Sequence, residues 1–242
     1  MKLTLLYIII LFSVLGGIGT YFANRKQNPP EQKKSWLKYF TYFMIIILLY
    51  ACICFAIKIF PWICALIVVA GLVEIVSLQK NNPQRRTVFY VILLMYMLIS
   101  AGFYFFSNLH QSMLLYTLFI VCTFDAFCQV TGQLFGKHKI CPQISPNKTF
   151  EGLSGGFLMS ICTGFIIGKI LEFTTFYAII AGLGICIFSF TGDLTASWIK
   201  RKYNVKDFST ALPGQGGFLD RFDSLITAGA FVYLFHLIVK VA

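Results

Sequence analysis

Acidic side chains are scarce: nine Asp and Glu stand against twenty Lys and Arg in 242 residues, and charged residues make up only 12% of the chain. Soluble domains carry about 25% charge, so this chain cannot clothe a folded surface for water. With 58% hydrophobic and 17% aromatic residues and a mean hydropathy of +0.78, its natural solvent is a bilayer. Disorder is excluded on the same ground, because it needs high charge and little apolar content. Histidine is also rare, and His110, His138 and His236 are scattered without metal-binding spacing. There is no H-E-x-x-H and no G-x-S-x-G, and Gly132 to Lys137 is not a Walker A loop. The eight cysteines, Cys52, Cys54, Cys64, Cys122, Cys128, Cys141, Cys162 and Cys186, form no C-x-x-C pair. They lie almost wholly in apolar runs and read as small apolar filler.

The apolar runs are long. A hydrocarbon core about 30 Å thick needs about 20 apolar residues per helix, and eight windows qualify, at 3–23, 37–57, 59–78, 87–106, 113–135, 152–171, 175–197 and 223–240. The fold class expected is therefore all-α, a polytopic membrane helix bundle. Residues 1–110 would be N-terminal transmembrane helices and 111–242 a catalytic transmembrane region, within one membrane domain. The first window is expected to be a retained anchor, since its apolar run exceeds the 7–15 residues of a signal h-region and lacks an A-x-A-like site.

A net charge of +11 would suggest nucleic acid as partner in a soluble chain; here its placement decides otherwise. If every window spans, one side receives Arg25, Lys26, Lys33, Lys34, Lys38, Lys80, Arg85, Arg86, Lys137, Lys139, Lys148, Lys200, Arg201, Lys202, Lys206 and Arg221, sixteen of the twenty cations. The opposite side receives Lys2, Lys58 and Lys240, with Lys169 near a helix end. The positive-inside rule puts the four basic loops in the cytoplasm and both termini outside. The charge is thus topology first, and no nucleic acid is expected.

The few carboxylates are unevenly spread. The first four windows contain one, Glu74, whereas Asp125, Glu151, Asp193, Asp207, Asp220 and Asp223 all fall in the second half. Ionisable groups at membrane depth are costly and normally mark function, so the chemistry is expected there. The longest polar stretch, Ser197 to Asp223, suits phosphate chemistry. Asp193 and Asp220, from the two flanking helix ends, are the natural pair for Mg²⁺, which takes carboxylate and phosphate oxygens. Asp223 lies three residues from Asp220, on the same helix face. Lys200, Arg201, Lys206 and Arg221 would supply the positive field. Gly214, Gly216 and Gly217 would let backbone N–H groups approach an anion, and the next helix would turn its N-terminus toward the same place.

In the preceding connector, Ser145 reads as an N-cap with Pro146 at the first helical position. Lys148 and Thr149 would then stand near a helix N-terminus, where phosphate oxygens bind. Gly152, Gly155 and Gly156 are spaced for close helix packing.

Ser197 to Asp223 resembles the signature of the phosphatidate cytidylyltransferase (CDP-diacylglycerol synthase) family: S-x-x-K-R, four residues, K-D, then P-G-H-G-G-x-x-D-R-x-D. Ser197, Lys200, Arg201, Lys206, Asp207, Pro213, Gly214, Gly216, Gly217, Asp220, Arg221 and Asp223 match, and Gln215 stands where the family has His. Asp125-Ala126-Phe127, Gly132 to Gly136, Ser145 to Gly152 and Gly192-Asp193-Leu194 are similar to other blocks of that family. The resemblance implies a multi-pass enzyme of the cell inner (cytoplasmic) membrane with its site facing the cytoplasm. It would transfer CMP from CTP to phosphatidic acid or another lipid phosphate, using Mg²⁺ and a monovalent cation such as K⁺. It implies catalytic roles for Asp193, Asp220, Asp223, Lys200 and Arg221, with Asp193 and Asp220 as metal ligands. Ser145, Lys148, Thr149, Ser197, Arg201, Lys206, Gly214, Gln215, Gly216 and Gly217 would bind substrate. A homodimer is an admissible assembly. An amide at 215 cannot carry the proton that an imidazole can, so slower or specialised turnover is expected. A CTP-dependent polyprenol kinase and a non-enzymatic transporter remain as alternatives.

Overall fold

The computed structural model describes residues 2–25, 28–81, 83–212 and 216–241. Eight helices follow in order: α1 (Lys2–Asn24), α2 (Pro29–Phe55), α3 (Phe60–Asn81), α4 (Arg86–Phe106), α5 (Gln111–Phe135), α6 (Phe150–Ile170), α7 (Thr175–Lys202) and α8 (Leu219–Val241). Each is long and apolar enough to cross a bilayer. The protein is a multi-pass membrane protein with an all-α architecture. One short antiparallel hairpin, β1 (Lys139–Cys141) with β2 (Ser145–Thr149), sits between α5 and α6.

Two helices run past their apolar windows. α2 begins at Pro29, eight residues before its window, because Pro29 and Pro30 occupy the first helical positions and Glu31 meets the positive end of the dipole. Lys33 and Lys38 are therefore on a helix and not in a linker. α7 continues to Lys202, so Lys200, Arg201 and Lys202 form its last turn, where cations complement the carbonyl end of the helix.

Burial ranks the helices. In α5, 56% of the apolar span is buried, against 12% in α1, so α5 is central and α1 peripheral. Lipid tails are as apolar as Leu, so helices associate through close packing of small residues. Gly152 and Gly156 of α6 lie against Gly132, Cys128 and Phe124 of α5. Gly102 of α4 meets Ala230 of α8, and Gly229 of α8 lies against Phe103 and Phe106. α4 is thereby packed directly onto the helix that follows the polar loop. Tyr116, Phe103, Phe106, Phe124, Ile120 and Ile167 are the large side chains sealed in this core. All eight cysteines are free.

The helix start expected at Ser145 is corrected. Ser145 opens β2, and α6 begins at Phe150 with Thr149 as its cap, the Thr149 hydroxyl accepting from Gly152 N at 3.1 Å. The hairpin wins because Glu151 accepts Lys137 N at 3.0 Å and His138 N at 3.2 Å and bonds His138 Nδ1 at 2.6 Å, stapling the chain before β1 to the start of α6.

Candidate functional site

α5, α7, α8 and β2 bring five charged groups into one another's field. Asp193 on α7 is the open member, with its side chain 44% exposed. Its Oδ2 lies 3.1 Å from Lys148 Nζ of β2, and its Oδ1 accepts from Ser197 Oγ, one turn later, at 3.4 Å. Lys148 is 15% exposed and its ammonium also sits over the Phe190 ring, 4.7 Å from the centroid, so two contacts aim it at Asp193. Asp125 on α5 accepts from Ser189 at 3.4 Å and has Ser224 nearby. It interacts electrostatically with both Asp193 and Lys148. Asp223 on α8, held by Ser224 N at 2.8 Å, interacts with Asp193, Asp125 and Lys200. Three carboxylates and two lysines from four elements thus share one electrostatic neighbourhood.

Asp220 is differently engaged. Its side chain is 1% exposed, and Oδ1 accepts from Lys200 Nζ at 2.6 Å. Oδ2 accepts from Phe208 N and Gly217 N, both at 2.8 Å. Asp193 and Asp220 therefore have separate partners. Asp220 locks the loop at both ends and fixes Lys200, whose ammonium also packs over Phe208. Among the described residues, no three His, Cys, Asp or Glu side chains converge closely enough to hold a metal ion alone. The carboxylates of Asp125 and Asp223 and the Ser197 hydroxyl near Asp193 are oxygen donors, which suits a hard cation that completes its shell with phosphate and water.

The N-terminus of α8, expected to face a substrate anion, receives the protein's own carboxylates. Glu74 of α3 is buried. It accepts from Phe218 N and Leu219 N at 2.8 Å each and from Ser209 Oγ at 2.6 Å. A Cβ at Gly217 would collide with the Glu74 carboxylate, and Gly216 adopts φ 87° with Asp220 against it. These two glycines serve close approach to an anion, and in this structure the anions are Glu74 and Asp220. Glu74 was missed because it lies 144 residues from its partner Phe218. Its one sequence signal is being the sole carboxylate in the first four apolar windows.

The remaining predicted residues are placed as follows. Arg201 donates to Ile144 O and Val205 O, both at 3.2 Å, tying the hairpin turn to the end of α7. Arg221 is half-buried and in electrostatic range of Tyr42 on α2. Lys206 is exposed on the loop and Ser197 is buried. Gly214 and Gln215 lie outside the described residues.

The profile of the cytidylyltransferase family matches residues 1–239. The chain belongs to the cytidylyltransferase family. Among its relatives, a phosphatidate cytidylyltransferase of Staphylococcus epidermidis is 39% identical over 133 residues, covering 53% of this chain and 51% of the relative. A phosphatidate cytidylyltransferase of Bacillus subtilis is 37% identical over 131 residues, or 52% and 49%. The uncharacterized protein YnbB of Escherichia coli is 48% identical over 104 residues, 42% of this chain and 35% of that protein. The aligned part of the chain thus spans about half the length of the two phosphatidate cytidylyltransferases and 35% of YnbB.

Within this family member, Glu74→Ala is expected to leave Phe218 N, Leu219 N and the Ser209 hydroxyl without their acceptor. Buried donors stripped of a partner cost about 1–3 kcal/mol. The expected result is loss of hydrogen-exchange protection at Phe218 and Leu219, with protection in α5 retained. Equal protection in variant and parent would show that Glu74 does not hold this segment.

Proposed function

We propose that this chain transfers the cytidylyl group of CTP to a lipid phosphate, with phosphatidic acid the first candidate, yielding CDP-diacylglycerol and pyrophosphate. The observation that carries the reading is the neighbourhood of Asp193, Asp125, Asp223, Lys148 and Lys200, brought together from α5, β2, α7 and α8. Family membership and the names of the relatives support it.

A phosphate monoester has a second pKa of about 6, so the lipid phosphate is largely ionised at neutral pH. Its oxygen attacks the α-phosphorus of CTP, the new P–O bond forms, and the α–β bridging bond breaks with its electron pair leaving on pyrophosphate. No protein nucleophile is needed. The task is to hold two anions together and stabilise charge as it moves. Asp193, with Asp125 and Asp223 beside it, would hold Mg²⁺, which bound there would neutralise phosphate charge and withdraw electrons from the reacting phosphorus. Lys148, poised on Asp193, has an ammonium to offer a phosphate oxygen. Asp220 holds Lys200 in place, and the exposed Lys206 and the guanidinium of Arg201 add positive charge at the mouth. K⁺ would serve as a further counter-charge. Sixteen cations on the loop side favour a site facing the cytoplasm, where CTP is present and a lipid can arrive laterally.

The test uses purified protein in detergent with phosphatidic acid, Mg²⁺ and CTP labelled at the α-phosphate. Label is expected in lipid with equimolar pyrophosphate, lost on chelation with EDTA and restored by Mg²⁺. Label confined to released CDP would identify a γ-phosphoryl transferring lipid kinase instead, and intact CTP would exclude both enzymes.

A further inference from the structure

A cavity of about 330 Å³ opens between α3 and α4, outside the carboxylate neighbourhood and lined by none of its residues. Val76, Gln79 and Lys80 line it from α3, and Arg86, Phe89 and Tyr90 from α4. It forms where the two helices diverge from the tight turn Pro83–Arg85. That turn is on the side of the four basic loops.

Its chemistry is divided. Lys80 and Arg86, one at the end of α3 and the other at the start of α4, put two cations on the cavity, and neither has a carboxylate partner among the described residues. Val76, Phe89 and the ring of Tyr90 form an apolar wall. Beyond it, Val73 on α3 and Tyr90, Val91 and Leu94 on α4 are exposed, the side chains of a lipid-facing surface. The cations thus stand at one end of a slot whose other end meets hydrocarbon. A loop that only sets topology needs cations but no cavity. Here an ammonium and a guanidinium fork flank a slot of headgroup size, a pairing that matches phosphate oxygens. Basic pockets between transmembrane helices on the cytoplasmic side take anionic headgroups.

We infer that the α3–α4 cavity binds the phosphate of an anionic phospholipid of the cytoplasmic leaflet, as a lipid site separate from the one where nucleotide reacts. The site also touches the functional loop. Gln79, on the cavity wall, accepts from Tyr203 Oη at 3.1 Å, and Tyr203 directly follows the last turn of α7.

Phosphatidylglycerol is the probe, because its phosphodiester has no terminal phosphate to accept a cytidylyl group; binding is then independent of the reaction proposed above. The full chain is purified in detergent, mixed with equal phosphatidylglycerol and phosphatidylcholine, and its retained lipid is counted by native mass spectrometry. One phosphatidylglycerol per chain is expected in preference to phosphatidylcholine. Its apparent affinity should fall at least tenfold in Lys80→Gln/Arg86→Gln and less than twofold in Lys137→Gln/Lys139→Gln, which loses the same charge from the connector between α5 and α6. Millimolar glycerol phosphate should not displace it. Equal retention of the two lipids by the unaltered chain overturns the inference without any variant. So do equal losses in the two double variants, which would mean diffuse attraction, and complete displacement by glycerol phosphate, which would mean a site for soluble phosphate.

Discussion

Asp193→Asn is expected to cut cytidylyl transfer by at least a hundredfold while leaving thermal stability within a degree or two. The carboxylate is 44% exposed and its salt bridge is to Lys148, so an isosteric amide removes charge without opening a cavity, and its carbonyl oxygen can still accept from the Lys148 ammonium. The loss should fall on kcat, because the charge acts on phosphates as they react and not on the fold. Lys148 would be released from its ion pair, and nucleotide affinity should change little or rise slightly. Steady-state kinetics against CTP, with differential scanning of the same preparation, checks both parts. Full activity would remove Asp193, and the cation proposed there, from the mechanism.

The companion substitution should behave in the opposite way. Asp220→Asn keeps the shape of a side chain that is 1% exposed but replaces one of two acceptor oxygens by a donor. Lys200 Nζ, Phe208 N and Gly217 N all donate to this carboxylate, so one orientation sets NH₂ against an ammonium and the other against two backbone N–H groups. Leaving a buried charge without its partner costs about 3–5 kcal/mol. A marked fall in unfolding temperature is expected together with loss of turnover. Lys200→Met in the Asp220→Asn background should recover part of the stability, since it removes the orphaned ammonium, and should not recover turnover. An Asp220→Asn protein as stable as its parent and inactive would instead assign Asp220 a direct place at the reacting phosphates.

These contrasting expectations arise from contacts that no local reading distinguishes. Asp193 and Asp220 look equivalent in sequence: each lies within four residues of the end of an apolar window, and one basic loop runs between them. Three-dimensional packing gives the first an open position beside Lys148, Asp125 and Asp223. It surrounds the second with donors. The hairpin from Lys139 to Thr149 was equally hidden, because Ser145-Pro146 satisfies the pattern of a helix start. What decides against that start is Glu151, which reaches back to the amides of Lys137 and His138.

By itself, the sequence determined the bilayer as solvent, eight spans, and the family signature from Ser197 to Asp223. Each of these is a property of a contiguous stretch: hydropathy sums over about 20 residues, and a signature is read in register. Only the tertiary structure decided which anions meet the start of α8. Glu74 reaches Ser209, Phe218 and Leu219 across 135, 144 and 145 residues, a choice made by helix packing. A buried amide must find an acceptor wherever the fold supplies one, and no spacing along the chain encodes which carboxylate that will be.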